Sequence, residues 1–305
     1  MTYPRAHLVD PTGGVYHLCS RCVRRAWLCG RDETTGFNFD HRRRWLEGRI
    51  LKLADLFAID LFGYAVMSNH YHIVLQLNPG RTDDWSDEDI VDRWMRLCPQ
   101  RNAAEDLKEH QRTALLQDTA RLNVLRERLG CLSWFMRFIN EPLARLANKE
   151  DDCKGRFWEG RFKSQQLLDE PAVLAAMVYV DLNPIRAGMT DDLRHPPHTS
   201  MNTRQAEAKT NQPMTALNGP FAPLPFTYSL EQYVDLAEWT AAAQQHKRPT
   251  RSNPGPPQDP ELWLHHYLPK PGHWLRANGS FESLRAYAKD LGQCWIKTRS
   301  LHLHA

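Results

Sequence analysis

Two short runs, "FGYAVMSN" and "HYHIVLQL", meet at a Ser-Asn turn between Phe62 and Leu77, and they narrow the fold more than any other feature. Both are rich in strand-forming residues, and Asn78, Pro79 and Gly80 close the unit. Side chains alternate faces along a strand. His70 and His72 therefore share one face, about 6.5–7 Å apart along the backbone. Val74 and Gln76 continue that face, while Ile73, Leu75 and Leu77 fill the other. Two imidazoles so placed can share one metal ion. The bare tripeptide is short, and two surface histidines with ordinary hydrogen bonds are its commoner meaning. A metal site needs a third ligand and a reactive group from elsewhere in the chain.

Around this hairpin the chain alternates in pattern. "GGVYHLCSRCV" (Gly13 to Val23) reads as a strand. "FDHRRRWLEGRILKLADLFAID" reads as an amphipathic helix that Asp40 can cap, with Trp45, Ile50, Leu53, Leu56 and Phe57 at near-helical spacing. Residues from about 81 to 130 are acidic, then highly charged, with Ser86 and Asp89 as a capping signal. They predict a helical insertion, most simply a solvated face. "LSWFMRFINEPLARLANKED" predicts a further helix and "GRFWEGRFKSQQLLD" a strand or hairpin. "EPAVLAAMVYVDLNPIRAGM" predicts a helix stopped by Asn183-Pro184 and Gly188. The expected organisation is a main domain over 9–190, a linker over 191–226, and a partly flexible C-terminal extension over 227–305. The element order predicts an α+β fold: a ferredoxin-like antiparallel sheet with helices on one face.

Composition excludes some classes. The 305 residues carry a formal net charge of only +3, so local charge must speak for any nucleic-acid partner. Seven cysteines, an odd number, do not form a disulfide framework. The opening "MTYPRAHLVDPTGG" has no apolar segment of the secretory kind, and no run of about 18 apolar residues occurs. The expectation is a cytoplasmic protein without membrane association. Cys19-x-x-Cys22, with Cys29 further on, is a weak zinc signal because no second pair follows.

On the helix ending at Asn183, Ala175, Tyr179 and Asn183 fall at i, i+4 and i+8. Leu174, Met177, Val178 and Leu182 form the neighbouring apolar face. A tyrosine at such a border is most often a packing residue, and an asparagine before proline often just ends a helix.

"VMSNHYHIVLQL" and "YVDLNPIRAGM" together resemble the REP-associated tyrosine transposases, of the single-tyrosine HUH endonuclease superfamily. "GGVYHLCSRCVRR" resembles that family's first strand and "GRFWEGRFKSQQL" a later segment, so four motifs stand in the family's order over roughly residues 9–190. The resemblance implies an HUH-type fold and metal-dependent nicking and joining of single-stranded DNA at hairpin or palindromic repeats. It implies that His70 and His72 hold Mg²⁺ or Mn²⁺ and that Asn183 completes the set. It implies that Tyr179 attacks the phosphate, forming a 5′-phosphotyrosine and a free 3′-OH. Arg21, Arg24, Arg25, Arg156, Trp158, Arg161, Lys163 and Arg186 are the candidate DNA contacts, with "HRRRW" (His41 to Trp45) adding local charge. The protein would act as a monomer or homodimer. Ser68, Asp181, Cys19, Cys22 and the acidic insertion depart from the family pattern without removing a catalytic group. His17 matches a family histidine and is assigned no role beyond support. The alternative is a non-catalytic protein that binds hairpin DNA or RNA. A His-x-His metallohydrolase would need a further His and Asp cluster that the sequence lacks.

Overall fold

The computed structural model describes residues 9–23, 28–32, 36–99, 104–207, 212–244, 256, 259–267 and 274–294. Strand β1 (Gly14–Arg21) leads to helix α1 (Asp40–Ala54), then to β2 (Ile59–Val66) and β3 (His70–Leu77). A 3-10 turn (Pro79–Asp83) opens the insertion: α2 (Asp87–Leu97), α3 (Glu105–Gln117) and α4 (Thr119–Leu129). Helix α5 (Leu132–Glu150), β4 (Lys163–Leu167), α6 (Glu170–Asp181) and α7 (Asn183–Arg186) follow. Beyond them come α8 (Ser200–Glu207), β5 (Thr215–Ala216), β6 (Gly219–Pro223), α9 (Leu230–Gln244), α10 (Pro260–Tyr267), β7 (Ala277–Asn278) and α11 (Phe281–Asp290).

The main sheet has five strands in the order β2-β3-β1-β4-β7. Its first four strands pair antiparallel, and β7 adds to β4 in parallel. The fold is therefore α+β with a mixed sheet. Alternation divides the core in two. Tyr16, Leu18, Tyr71 and Ile73 point to one side, against Ile50 and Leu53 of α1 and Phe135 and Ile139 of α5. Val74, Ala65 and Phe62 point to the other, against Leu174, Met177 and Val178 of α6. The expectation of helices on one face is thus corrected: both faces are covered, because α6 is apolar around most of its circumference and is buried between the sheet and the later helices.

The described residues of 191–226 pack against the sheet rather than spanning open solvent as a linker would. His198 O accepts from Val66 N at 3.1 Å, and Leu217 N donates to Leu61 O at 2.8 Å, so this stretch covers the β2 edge of the sheet. Its anchor is Asp181 at the end of α6. That buried carboxylate accepts from Ser200 Oγ at 2.7 Å, Met201 N at 2.9 Å and, from α9, Tyr233 Oη at 2.7 Å. Gly63 makes room for it, since a Cβ there would lie 3.1 Å from Ser200 Oγ. Proline, asparagine and glutamine content concealed a segment that owes its order to partners far away in sequence. At the opposite edge, Asp169 caps α6 and also accepts from Ser280 N at 2.6 Å, tying the C-terminal strand and α11 to the same helix.

The insertion behaves as its capping signal predicts. Ser86 Oγ accepts from Asp89 N at 3.1 Å, and Asp89 Oδ2 accepts from Ser86 N at 3.2 Å. Ile90, Val91, Leu122 and Leu125 join the first core, while α3 only leans on it through the half-buried Leu115 and Leu116. Asp40 does not cap α1. It sits inside the first turn, paired with Arg43 at 3.1 Å, and Asn38 Oδ1 accepts its N–H at 2.8 Å. No helix among the described residues is long and apolar enough to cross a membrane.

Within "HRRRW" Arg42 is turned inward, while His41 and Arg44 are exposed. Arg42 is fully buried, paired with Glu150 at 2.6 Å and with Asp151, and stacked over Phe39. Its role is to fasten α1 to the end of α5, so it does not contact DNA. Arg42→Ala removes one partner from a buried ion pair. It is expected to destabilise the protein by about 3 kcal/mol, read as a fall in the denaturant midpoint. An unchanged midpoint would show that the two carboxylates are solvated enough to stand alone.

Candidate functional site

The histidine face of β3 looks toward α6. In the sheet register Cys19 stands opposite His72 and Arg21 opposite His70, so β1 contributes its own odd-numbered side chains to that face. Helix α6 packs across β2 and β3 and carries Tyr179 to this surface. The Tyr179 ring meets His72 edge-on at 5.7 Å between centroids and His17 at 5.8 Å. The rings of His70 and His72 lie 4.9 Å apart and nearly perpendicular. Trp274, just before β7, closes the group: it lies 4.9 Å from the His17 ring and is almost parallel to His72 at 6.4 Å.

Two hydrogen bonds hold the imidazoles. His70 Nδ1 donates to Asn69 Oδ1 at 2.6 Å, and His72 Nδ1 lies 2.9 Å from His17 Nε2. His72 is 3% exposed, and its Nε2 has no hydrogen-bond partner among the described residues. Asn183 comes one helical turn after Tyr179. It is buried, and its Nδ2 is equally unpartnered among the described residues. The helix runs on through Leu182, whose N donates to Val178 O, and Pro184 falls in the first turn of α7, where its missing N–H is not needed.

Burial sets the charge state of the cluster. It lowers His17 to about 3 and His70 to about 4, the latter helped by Arg21. It also lowers His72 well below the usual range, with His70, His17 and Arg186 adding to the effect. The rings are therefore neutral near pH 7, with lone pairs to offer. The pH consequence follows from the sign. Their folded values lie below the ordinary 6.5, so their contribution to stability is full above about 6.5 and is lost as pH falls toward 4. His70→Gln is expected to flatten the melting-temperature profile between pH 6.5 and 4 relative to wild type. Parallel profiles for the two proteins would contradict this burial.

The donor types fit a hard divalent ion in part. Among the described residues no three His, Cys, Asp or Glu side chains converge as a metal cluster. Any ion here would rest on two imidazoles and the Asn183 amide, with open positions for water or phosphate. The orphaned His72 Nε2 is the observation in favour; at Asn183 the unpartnered atom is the amide Nδ2, a donor, whereas a cation would take the amide oxygen. Cys19 and Cys22 do not form a rival site. They lie three residues apart on an extended segment and so point to opposite faces, and burial pushes the Cys19 thiol up to about 12.

The expected DNA contacts separate. Arg21 and, through its pairing with Cys19, Lys163 lie on the histidine face, and both are exposed. Arg186 is exposed, with its guanidinium 4.6 Å from the Tyr179 ring centroid. Arg156 and Arg161 are exposed on the preceding loop. Trp158 is half-buried on the far side of the sheet, away from the histidine face: its indole packs edge-on against Tyr71 and Phe157 and donates to Asn140 O at 2.9 Å. Arg24 and Arg25 lie outside the described residues.

Neither Trp274 nor Asn69 stands out in the sequence. Asn69, beside His70, reads only as a turn residue. Trp274 is isolated in a stretch without periodicity, so no local signal marks it.

No family model matches the sequence, and no curated protein matches it. One solved structure, described as "Structure of the REP associates tyrosine transposase bound to a REP hairpin", is similar at 11% identity over 75% of this chain and 93% of that one, with a TM-score of 0.36. A likeness that low establishes neither fold nor function for this chain.

Proposed function

We propose that this protein nicks and rejoins single-stranded DNA beside hairpin or palindromic repeats, with Tyr179 as nucleophile and a divalent cation, Mg²⁺ or Mn²⁺, at His70, His72 and Asn183. The observation that carries the reading is the meeting of Tyr179 with His72 at 5.7 Å, with His72 Nε2 buried and unpartnered among the described residues. The four ordered motifs resembling REP-associated tyrosine transposases support it from the sequence side. The HUH-type, ferredoxin-like reading is supported by the antiparallel order β4-β1-β3-β2, with helices α1 and α5 in the two crossovers. A cytoplasmic monomer or homodimer belongs to the same reading.

Each side chain then has a task. Tyr179 presents its hydroxyl from a rigid helix, so the nucleophile is held against the histidine face before substrate arrives. Its oxygen gives up its proton and attacks phosphorus, the P–O3′ bond breaks, and a proton passes to the leaving oxygen, so the chain holds a 5′-phosphotyrosine and a 3′-OH is released. Rejoining reverses the step and conserves the bond energy. His70, His72 and Asn183 would hold the cation, which would supply polarisation of the scissile phosphate and charge compensation. Arg186 beside Tyr179 and Arg21 beside His70 place fixed positive charge where phosphate oxygens must come. Lys163 extends that charge along the sheet, where a single strand can leave the site.

The test is a covalent-adduct assay. The full chain is incubated with labelled single-stranded hairpins from repeats flanking its gene, with Mg²⁺, Mn²⁺ or chelator, and run on a denaturing protein gel. A metal-dependent labelled band at the protein's mass is expected. Hairpin binding without any such band, in either metal, would replace this reading with a binding protein for DNA or RNA hairpins.

A further inference from the structure

Resting on the reading above, we infer that His17 is a positioning residue: by accepting the Nδ1 proton of His72 it fixes the tautomer that offers His72 Nε2 to a divalent cation. The argument begins with a single proton. His17 Nε2 and His72 Nδ1 are 2.9 Å apart, a separation that holds one hydrogen and no more. If His17 donates it, His72 carries its own proton on Nε2, and that nitrogen cannot be a ligand. If His72 donates it, Nε2 presents a bare lone pair. Only the second arrangement gives a metal site.

The neighbouring histidine already obeys this rule. Asn69 Oδ1 is an acceptor, so His70 keeps its proton on Nδ1 and leaves Nε2 free. His17 does for His72 what Asn69 does for His70. The two supports come from different places, one from the turn before β3 and one from the middle of β1.

The packing around His17 favours a fixed support. Its ring is 5% exposed, with Trp274 at 4.9 Å and the Tyr179 edge at 5.8 Å. On the sheet it lies between Val74 of β3 and Gln165 of β4. Held on these sides, the ring cannot swing away from His72, so the hydrogen bond is fixed by the sheet register itself. Outer-shell partners of ligating histidines act in this way, and their loss weakens metal binding about 10–100-fold.

Two measurements test the inference. The first is Mn²⁺ titration of the full chain, without DNA, followed by the electron paramagnetic resonance signal of the free ion. His17→Phe keeps an aromatic ring but loses the acceptor, and Mn²⁺ affinity is expected to fall about 10–100-fold. His17→Gln restores an acceptor and is expected to recover most of the loss. His17→Phe equal to wild type, or both variants equally weakened, would overturn the inference and leave the parent reading standing. Wild type binding no Mn²⁺, or binding it as well after His70→Ala with His72→Ala, would overturn the parent reading and this one with it. The second measurement needs no variant. A long-range ¹H–¹⁵N spectrum of the wild-type histidines is expected to show His72 protonated on Nδ1. A proton on its Nε2 would sink the proposal however the variants fold.

Discussion

Tyr179→Phe is expected to abolish the covalent protein–DNA adduct and to lower strand cleavage by at least about 10³-fold, with hairpin binding retained. The substitution removes one oxygen and keeps the ring that packs against His72 and His17. The fold should therefore lose no more than about 1 kcal/mol. Among the described residues, Tyr16, Tyr64, Tyr71 and Tyr233 are not placed to substitute. Tyr16, Tyr64 and Tyr71 point to the opposite side of the sheet, and burial raises the pKa of each. Tyr64 donates to Glu47 at 2.6 Å and Tyr71 to Asn140 at 2.7 Å. Tyr233 is committed to Asp181. A denaturing gel for the adduct and a mobility shift for binding separate the two outcomes. An adduct that survives in Tyr179→Phe would move the nucleophile elsewhere and end the proposed mechanism.

Asp181→Ala is expected to be the most destabilising single change at the site's support, on the order of 3–6 kcal/mol. The carboxylate is fully buried and satisfies Ser200 Oγ, Met201 N and Tyr233 Oη together. Truncation leaves three buried donors without their acceptor, in a protein whose whole stability is of the order of 5–15 kcal/mol. The first consequence should be release of α8 and α9 from α6, seen as early protease cleavage after residue 190. Asp181→Asn keeps one oxygen, and the Tyr233 hydroxyl can turn to accept from the new amide, so a loss of about 1–2 kcal/mol is expected. Burial raises the Asp181 carboxyl above its ordinary 3.8. That contribution is full below 3.8 and declines as pH rises through the folded value, so the gap between wild type and Asp181→Asn should narrow over that range. Equal protease patterns for wild type and Asp181→Ala would mean that apolar contacts alone hold the C-terminal half.

Local rules were enough wherever the physics is local. The alternation of "HYHIVLQL" predicted that His70 and His72 share a face, and the structure places both toward α6. The Ser86–Asp89 capping box and the α5 and α6 helices follow from residues a few positions apart. Charge was less legible. The arginines of "HRRRW" read as a basic patch, yet Arg42 is buried against Glu150, more than a hundred residues away in sequence. Trp158 read as a stacking platform, but the register that pairs Cys22 with Trp158 turns it to the Tyr71 side.

The sequence by itself determined which side chains alternate, which segments coil, and which residues could carry chemistry: His70, His72, Tyr179 and Asn183. The tertiary structure alone decided that Tyr179 lies against His72, that His17 bonds it from the neighbouring strand, and that Trp274 arrives from beyond the expected domain. It alone fastened α8 and α9 to the core through Asp181. The reason is the range of the forces. Periodicity and caps act within a turn or two of chain, whereas sheet register and burial join residues that share no neighbourhood until the chain has folded.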